Sequence, residues 1–427
     1  MRPRLVLDIG WSDLLAGVGT CAFAGARERR AQALESSFGG NALAVLSVRS
    51  AFDLYLAARA FPEGSEVLVS ALTIPDMPKV LRGHGLVPVP VDLDPSTLAP
   101  SRASLERAVT ARTRALLVAH LFGSRFDMQA IVDFARPRKL EVWEDGAQAF
   151  TGDDWRGHPE SDLVLWSFGT IKTATALGGG VARVRDGKTL ERMGELAAAW
   201  PLQSRAHFAG KTAKALVLKA LGTRALFTPF ARVLALLGKD RDEFLHGIVR
   251  GFPGPDFFTA IRKRPSAPLL ALLERRLASG VDSRVELRAR AGKALEARLP
   301  DALGLAGARA PVKTHWVFAL RSQEPERLVE RLRAAGFDAT RRSSLRVVEA
   351  PSGRASASEA SALLEEVVFV PLVPREAHDF PRLVRALEGA QEELAEFELV
   401  PARRRDAVRP PSRLPARSRE PSGEPRV

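Results

Sequence analysis

The sequence predicts an α/β protein in four parts. A large domain on a doubly wound, mainly parallel sheet spans 1–190, and a helical, basic insertion spans 191–260. A smaller C-terminal α/β domain follows over 261–400, then an Arg- and Pro-rich tail over 401–427. Three observations carry this reading. Between about 40 and 185, short β-rich runs alternate with stretches of helical spacing. Most of the runs are apolar throughout, as strands buried on both faces of a parallel sheet must be. The length of 427 residues suits two to three domains at about 150 residues each, and 46% hydrophobic with 26% charged residues is ordinary globular composition.

Taken in order, VLVSAL (67–72), LVPVPVDL (86–93), RALLVAHLF (114–122), KLEVWED (139–145), DLVLWSF (162–168) and GVARV (180–184) read as strands. SAFDLYLAARAF (50–61), IPDMPKVLRGHG (74–85) and FDMQAIVDFARPR (126–138) read as the helices between them. From about 188 to 250 the chain turns helical and basic, and 261–300 is helical and Arg-rich. A second α/β unit follows, with strands at 314–321 and 366–372 and helices at 325–336 and 380–397.

Composition also limits function. A single cysteine, Cys21, can form neither an internal disulfide nor a thiolate metal cluster, so a reduced, cytoplasmic protein with no metal site is expected. The N-terminal MRPRLVLDIGWSD lacks the unbroken apolar core of an export signal. The net charge of +13 raises nucleic acid as a partner, but 52 of the 63 basic residues are arginine, and eight of these lie in the tail. No basic stripe with interleaved aromatics is seen and Tyr55 is the only tyrosine, so nucleic acid is not expected. Residues 201–250 carry nine Lys or Arg against three acids beside long apolar runs, which points either to helices that pack over a dimer or cover the active site, or to a surface-seeking element over 205–250 that touches a membrane peripherally.

In parallel sheets ligands sit beyond the carboxyl ends of the strands. Two residues stand out there. Asp145 ends the strand 139–145, with Gln148 one turn on; Lys172 closely follows the strand 162–168 in the apolar text SFGTIKTATALGGG. Desolvation there would lower the lysine's pKa toward a reactive amine. An Asp and a Lys on two strand tips suit pyridoxal phosphate, which needs a lysine for its Schiff base and a carboxylate to keep its ring nitrogen protonated. A phosphate cradle is offered by Ser47, Arg49 and Ser50 before a helix, where free N–H groups and the dipole favour an anion, and by Ser167 on the same rim. Gly178–Gly180 either lets backbone pass beneath a ligand or makes a tight turn.

With these residues in view, the chain resembles the DegT/DnrJ/StrS family of fold-type I pyridoxal-phosphate sugar aminotransferases, over about 35–185 and again over 261–395. The resemblance lies in Glu144-Asp145-Gly146-Ala147-Gln148-Ala149, in Ser167-Phe168-Gly169-Thr170-Ile171-Lys172, in His120-Leu121-Phe122-Gly123 followed by Asp127-Met128, and in Gly64-Ser65-Glu66-Val67-Leu68-Val69. It implies Lys172 as the cofactor-linked proton shuttle, Asp145 on the pyridine nitrogen, Gln148 against the ring, and Ser167 with the backbone at Arg49–Ser50 on the phosphate. It implies a homodimer, glutamate as amino donor, and a keto sugar nucleotide or related keto-polyol as substrate. A dehydratase-like outcome is the alternative, against which Lys172 argues because the family's dehydratases replace it. An interaction protein on a relic of the fold is the other. Three departures mark this chain: Arg49-Ser50 in place of Gly-Thr, Ile74 after Thr73 where an aromatic is usual, and Arg342-Ser343-Ser344 after Thr340-Arg341 in place of His-Tyr-Pro. Residues 195–260 have no counterpart in the family's short hairpin.

Overall fold

The computed structural model describes residues 7–23, 25–152, 155–237, 252, 254–280, 282–372 and 379–388; the expected tail and the second part of the insertion lie outside them. Nine strands belong to the first half of the chain: β1 Ala42–Val45, β2 Glu66–Ser70, β3 Leu72–Thr73, β4 Val87–Val91, β5 Thr113–Ala119, β6 Ser124–Arg125, β7 Glu141–Asp145, β8 Leu163–Ser167 and β9 Gly180–Val184. Seven of them form one sheet in the order β1-β9-β8-β7-β5-β2-β4. The run β8-β7-β5-β2-β4 is parallel, and β9 is antiparallel to both of its neighbours. The all-apolar runs lie in this sheet, with β2, β8 and β9 buried along their whole length. β4 carries Pro88 and Pro90, and it is an edge strand, the place where residues without an N–H are tolerated.

Helices α1 (Trp11–Phe23), α2 (Arg27–Ser37), α3 (Val48–Arg59), α4 (Asp76–Gly83), α5 (Arg102–Ala108), α6 (Gln129–Ala135), α7 (Gly187–Ala198), α8 (Arg205–Leu221) and α9 (Arg224–Leu236) accompany the sheet. α3 begins where Ser47 accepts a hydrogen bond from the Ser50 N–H, and it ends at Ala60 in a left-handed conformation. Its apolar side and the inner side of α4 bury Phe52, Leu54, Tyr55, Met77 and Val80 against Val67, Val69 and Trp143 of the sheet. On the sheet's other side α6 packs Ile131, Val132 and Phe134 against Leu116, Val118 and Val142.

The C-terminal domain holds an antiparallel sheet in the order β10-β12-β14, made of Gly304–Leu305, Phe318–Arg321 and Val367–Val370. Two short ribbons tie it to the large domain: β11 (Val312–Lys313) pairs with β6, and β13 (Arg346–Val347) pairs with β3. Helix Ala267–Ala278, expected within the small domain, instead buries Leu269, Leu270, Leu272 and Leu273 in one core with α1, α2 and α8. Helix Asp282–Glu296 carries the handover, with Val285 in that core and Leu295 in the core of the small domain. The insertion is likewise joined to the large domain, because Phe208, Ala215 and Leu218 of α8 enter the same core.

Candidate active site

Asp145 is the last residue of β7, and β8 lies beside it in parallel, so both strands end on the same rim. The Asp145 side chain is buried, and one of its oxygens accepts the Ala147 N–H at 3.0 Å. Burial pushes its pKa up, against the opposing pull of that hydrogen bond and of the positive charges of Lys172 and Arg49.

From the end of β8 the chain turns through a short loop in which the Lys172 N–H donates to the Gly169 carbonyl. Lys172 is half-buried, and its ammonium lies over the Trp316 ring, 4.4 Å from the centroid. The indole is fixed in turn by its N–H, which donates to the Ile171 carbonyl at 3.1 Å. Loss of water lowers the lysine pKa to about 8; Asp145 pulls it up and Arg49 pushes it down. Asp145, Lys172 and Arg49 thus lie within electrostatic reach of one another.

The phosphate cradle is assembled by register. Val45 of β1 and Ser167 of β8 both face Gly180 of β9, which brings Ser167 opposite the start of α3. A β-carbon on Gly180 would lie 2.9 Å from the Trp166 oxygen and 3.0 Å from the Val48 nitrogen, so only glycine lets these backbones meet. The N–H groups of Val48 and Arg49 have no partner among the described residues, whereas that of Ser50 is spent on Ser47. The Ser50 hydroxyl is also spent: fully buried, it donates to the Ile261 carbonyl at 2.7 Å. The open donors at this turn therefore belong to Val48 and Arg49. The Arg49 guanidinium is pinned through Nε to Asp76 and lies 5.5 Å from the Phe252 ring centroid.

Gln148 is half-buried, and its carbonyl oxygen accepts the Phe122 N–H at 2.9 Å, which fixes the side chain against the turn after β5. That turn contains Phe122 and Gly123, both at positive φ. A β-carbon on Gly123 would come 2.5 Å from the Trp316 nitrogen, so this glycine admits the strap Thr314–Trp316 that carries the indole to Lys172. Ile74 follows β3 and packs half-buried beside the β2 core. Arg346 pairs with Thr73, which places the divergent segment 342–344 along the same wall. Arg341 points away, toward Glu326 and the Glu365 carbonyl.

Sequence reasoning missed Trp316 and the pair His120–Glu144. The sequence places Trp316 in a strand over 314–321, but the strand begins only at Phe318, and no local signal separates Trp316 from a core residue. His120 and Glu144 are both buried, 3.0 Å apart through Nε2 and Oε2. Glu144 also accepts from the Ser161 hydroxyl and the His158 N–H. These donors hold its carboxyl below the usual range despite the desolvation that works against them. His120 donates its backbone N–H to the Asp145 carbonyl, so the pair braces the strand tip that presents Asp145.

GDP-perosamine synthase of Escherichia coli O157:H7 is 36% identical over 143 residues, 33% of this chain and 39% of that protein. L-glutamine:2-deoxy-scyllo-inosose aminotransferase of Micromonospora echinospora is 41% identical over 86 residues, 20% of each chain. The chain thus spans about two fifths or less of the length of these relatives. The solved structure of NtdA from Bacillus subtilis with bound cofactor PMP superposes with a TM-score of 0.66 at 17% identity, over 90% of this chain and 83% of that one. This last likeness establishes the fold alone, a mostly parallel sheet with flanking helices. Residues 30–210 match the model of the DegT/DnrJ/EryC1/StrS aminotransferase family.

Proposed function

We propose that the protein is a pyridoxal-phosphate-dependent aminotransferase. In this reading it moves an amino group from glutamate onto the keto group of a nucleotide-linked sugar or a related polyol. The observation that carries the proposal is the pairing of Asp145 and Lys172 on neighbouring strand tips, each driven toward its neutral form by burial.

The residues present fit the cofactor. The open N–H groups of Val48 and Arg49, the Arg49 cation and the Ser167 hydroxyl form a donor set for a phosphate dianion, over a glycine that leaves no room for a side chain. When bound, the cofactor supplies an electron sink for the carbanion at the substrate carbon. Asp145 would hold the proton on the ring nitrogen. Lys172, with a pKa near the working pH, would take and return the proton at the substrate carbon. Gln148 would support the ring edge, and Trp316 would keep water from the lysine. Ile74 would meet the ring by dispersion alone. We read the working unit as a cytoplasmic homodimer, on the strength of the family resemblance.

The test uses 15N-glutamate and a panel of keto sugar nucleotides and keto-cyclitols, with products weighed by mass spectrometry. Incorporation of 15N into one panel member supports the assignment. Loss of water from a sugar without nitrogen gain would move the protein to the dehydratase alternative, and no change in any member would remove the substrate class.

A further inference from the structure

Ten large hydrophobic side chains are exposed among the described residues, and all of them lie in two stretches of chain. Trp11, Leu15, Val18 and Phe23 belong to α1; Leu202, Val217, Leu226, Val233, Leu236 and Leu237 lie in or beside α8 and α9. Their exposures run from 48% to 88%. On α1 the spacing 11, 15, 18 makes a single stripe along the helix. α1 and α8 pack together, with Arg205 donating to the Cys21 and Ala22 carbonyls at one end and Lys219 over Trp11, 5.6 Å from its centroid, at the other. Inward-facing Phe208, Thr212 and Ala215 anchor α8, so its exposed face is turned away from the core.

The charge within α8 and α9 has one sign. Residues 201–237 contain six Lys or Arg and no Asp or Glu. Lys214 is exposed one turn before Val217, and Arg232 is exposed beside Val233. The one acid of α1, Asp13, is buried against Arg275 and Arg276. α1 precedes the segment matched by the family and α9 follows it, so the face is made largely from parts that the family's chemistry does not require.

We infer that this α1–α8–α9 face is a docking surface for an anionic lipid membrane, on which the protein lies without crossing it. An apolar stripe beside exposed Lys214 and Arg232, with a tryptophan at its edge, matches the interface of an anionic bilayer in polarity and in sign. No helix among the described residues is long and apolar enough to span one. A second copy of the chain on the same face would bring the cations of two α8–α9 pairs together.

Full-length protein loaded with pyridoxal phosphate is spun with phosphatidylcholine vesicles and with 70:30 phosphatidylcholine–phosphatidylglycerol vesicles, at low and high salt. Binding is expected to the anionic vesicles at low salt, about tenfold weaker in high salt and weaker still on neutral lipid. Leu15→Glu/Val217→Glu should reduce binding to anionic vesicles at least tenfold, as should Lys214→Glu/Arg232→Glu, with borohydride labelling at Lys172 and thermal melting unchanged. Absence of binding to anionic vesicles at low salt would overturn the inference, as would undiminished binding by both variants. If light scattering shows a dimer that Leu15→Glu/Val217→Glu turns into monomer, the face belongs to a second copy and the membrane surface is rejected.

Discussion

Replacing Lys172 with methionine is expected to make the cofactor-free protein more stable. Burial holds the lysine pKa at about 8 instead of its ordinary 10.5. Each unit between the folded and unfolded values corresponds to 1.36 kcal/mol, so keeping this side chain charged at pH 7 costs the fold about 3 kcal/mol. Methionine fills a similar volume, keeps its contact with the Trp316 ring, and carries no charge to desolvate. The sign follows from linkage. The folded value is depressed, so above about pH 8 the folded state releases a proton that the unfolded state keeps until about 10.5. Wild-type stability therefore gains between those values, and the advantage of Lys172→Met closes over the same interval. Urea unfolding of both cofactor-free proteins at pH 7 and pH 10, followed by tryptophan fluorescence, measures the gap. A variant no more stable than wild type at pH 7, or a gap independent of pH, would show that Lys172 is not desolvated and would sink the electrostatic account of the site.

Asp145→Asn should leave folding and cofactor binding largely intact while cutting turnover by orders of magnitude, because an amide cannot keep the ring nitrogen protonated; stopped-flow half-reactions with glutamate read this directly. Arg49→Ala should weaken pyridoxal phosphate binding by about 10- to 100-fold, the worth of one hydrogen bond to a charged group, and an unchanged affinity by fluorescence titration would take Arg49 out of the cradle. Gly123→Ala forces a β-carbon to within 2.5 Å of the Trp316 nitrogen at φ +86°, so a loss of more than about 2 kcal/mol in urea unfolding is expected, and a change under 0.5 kcal/mol would contradict the close approach. Glu144→Ala leaves the buried His120 ring without its hydrogen-bond partner and should cost about 1–3 kcal/mol on the same assay.

The sheet and the strand-tip residues were legible because both rest on local pattern. Unbroken apolar runs such as Leu163–Trp166 mark doubly covered strands, and the connection of parallel strands fixes which ends share a rim. β1 was not legible: Ala42–Val45 is only four residues long, and it is a strand because β9 pairs with it. The hydrogen bond of the Ser50 hydroxyl is not legible for a similar reason, since the carbonyl that takes it belongs to Ile261, 211 residues away. Trp316 reaches Lys172 only because Gly123 admits its strap, a contact across 193 positions that no spacing rule announces. Helix Ala267–Ala278 carries an amphipathic pattern that says it must pack but not on which domain, and the α1–α8 groove settled that.

The most direct test of the central claim is chemical. Purified protein is incubated with pyridoxal phosphate, reduced with borohydride, digested and sequenced by mass spectrometry. The expected result is a yellow protein that bleaches on reduction and carries one pyridoxyl group, on Lys172, with Lys172→Met unlabelled. A colourless protein that takes up no cofactor, or label spread over exposed lysines with Lys172 unmodified, would contradict the assignment of Asp145 and Lys172 to a cofactor site.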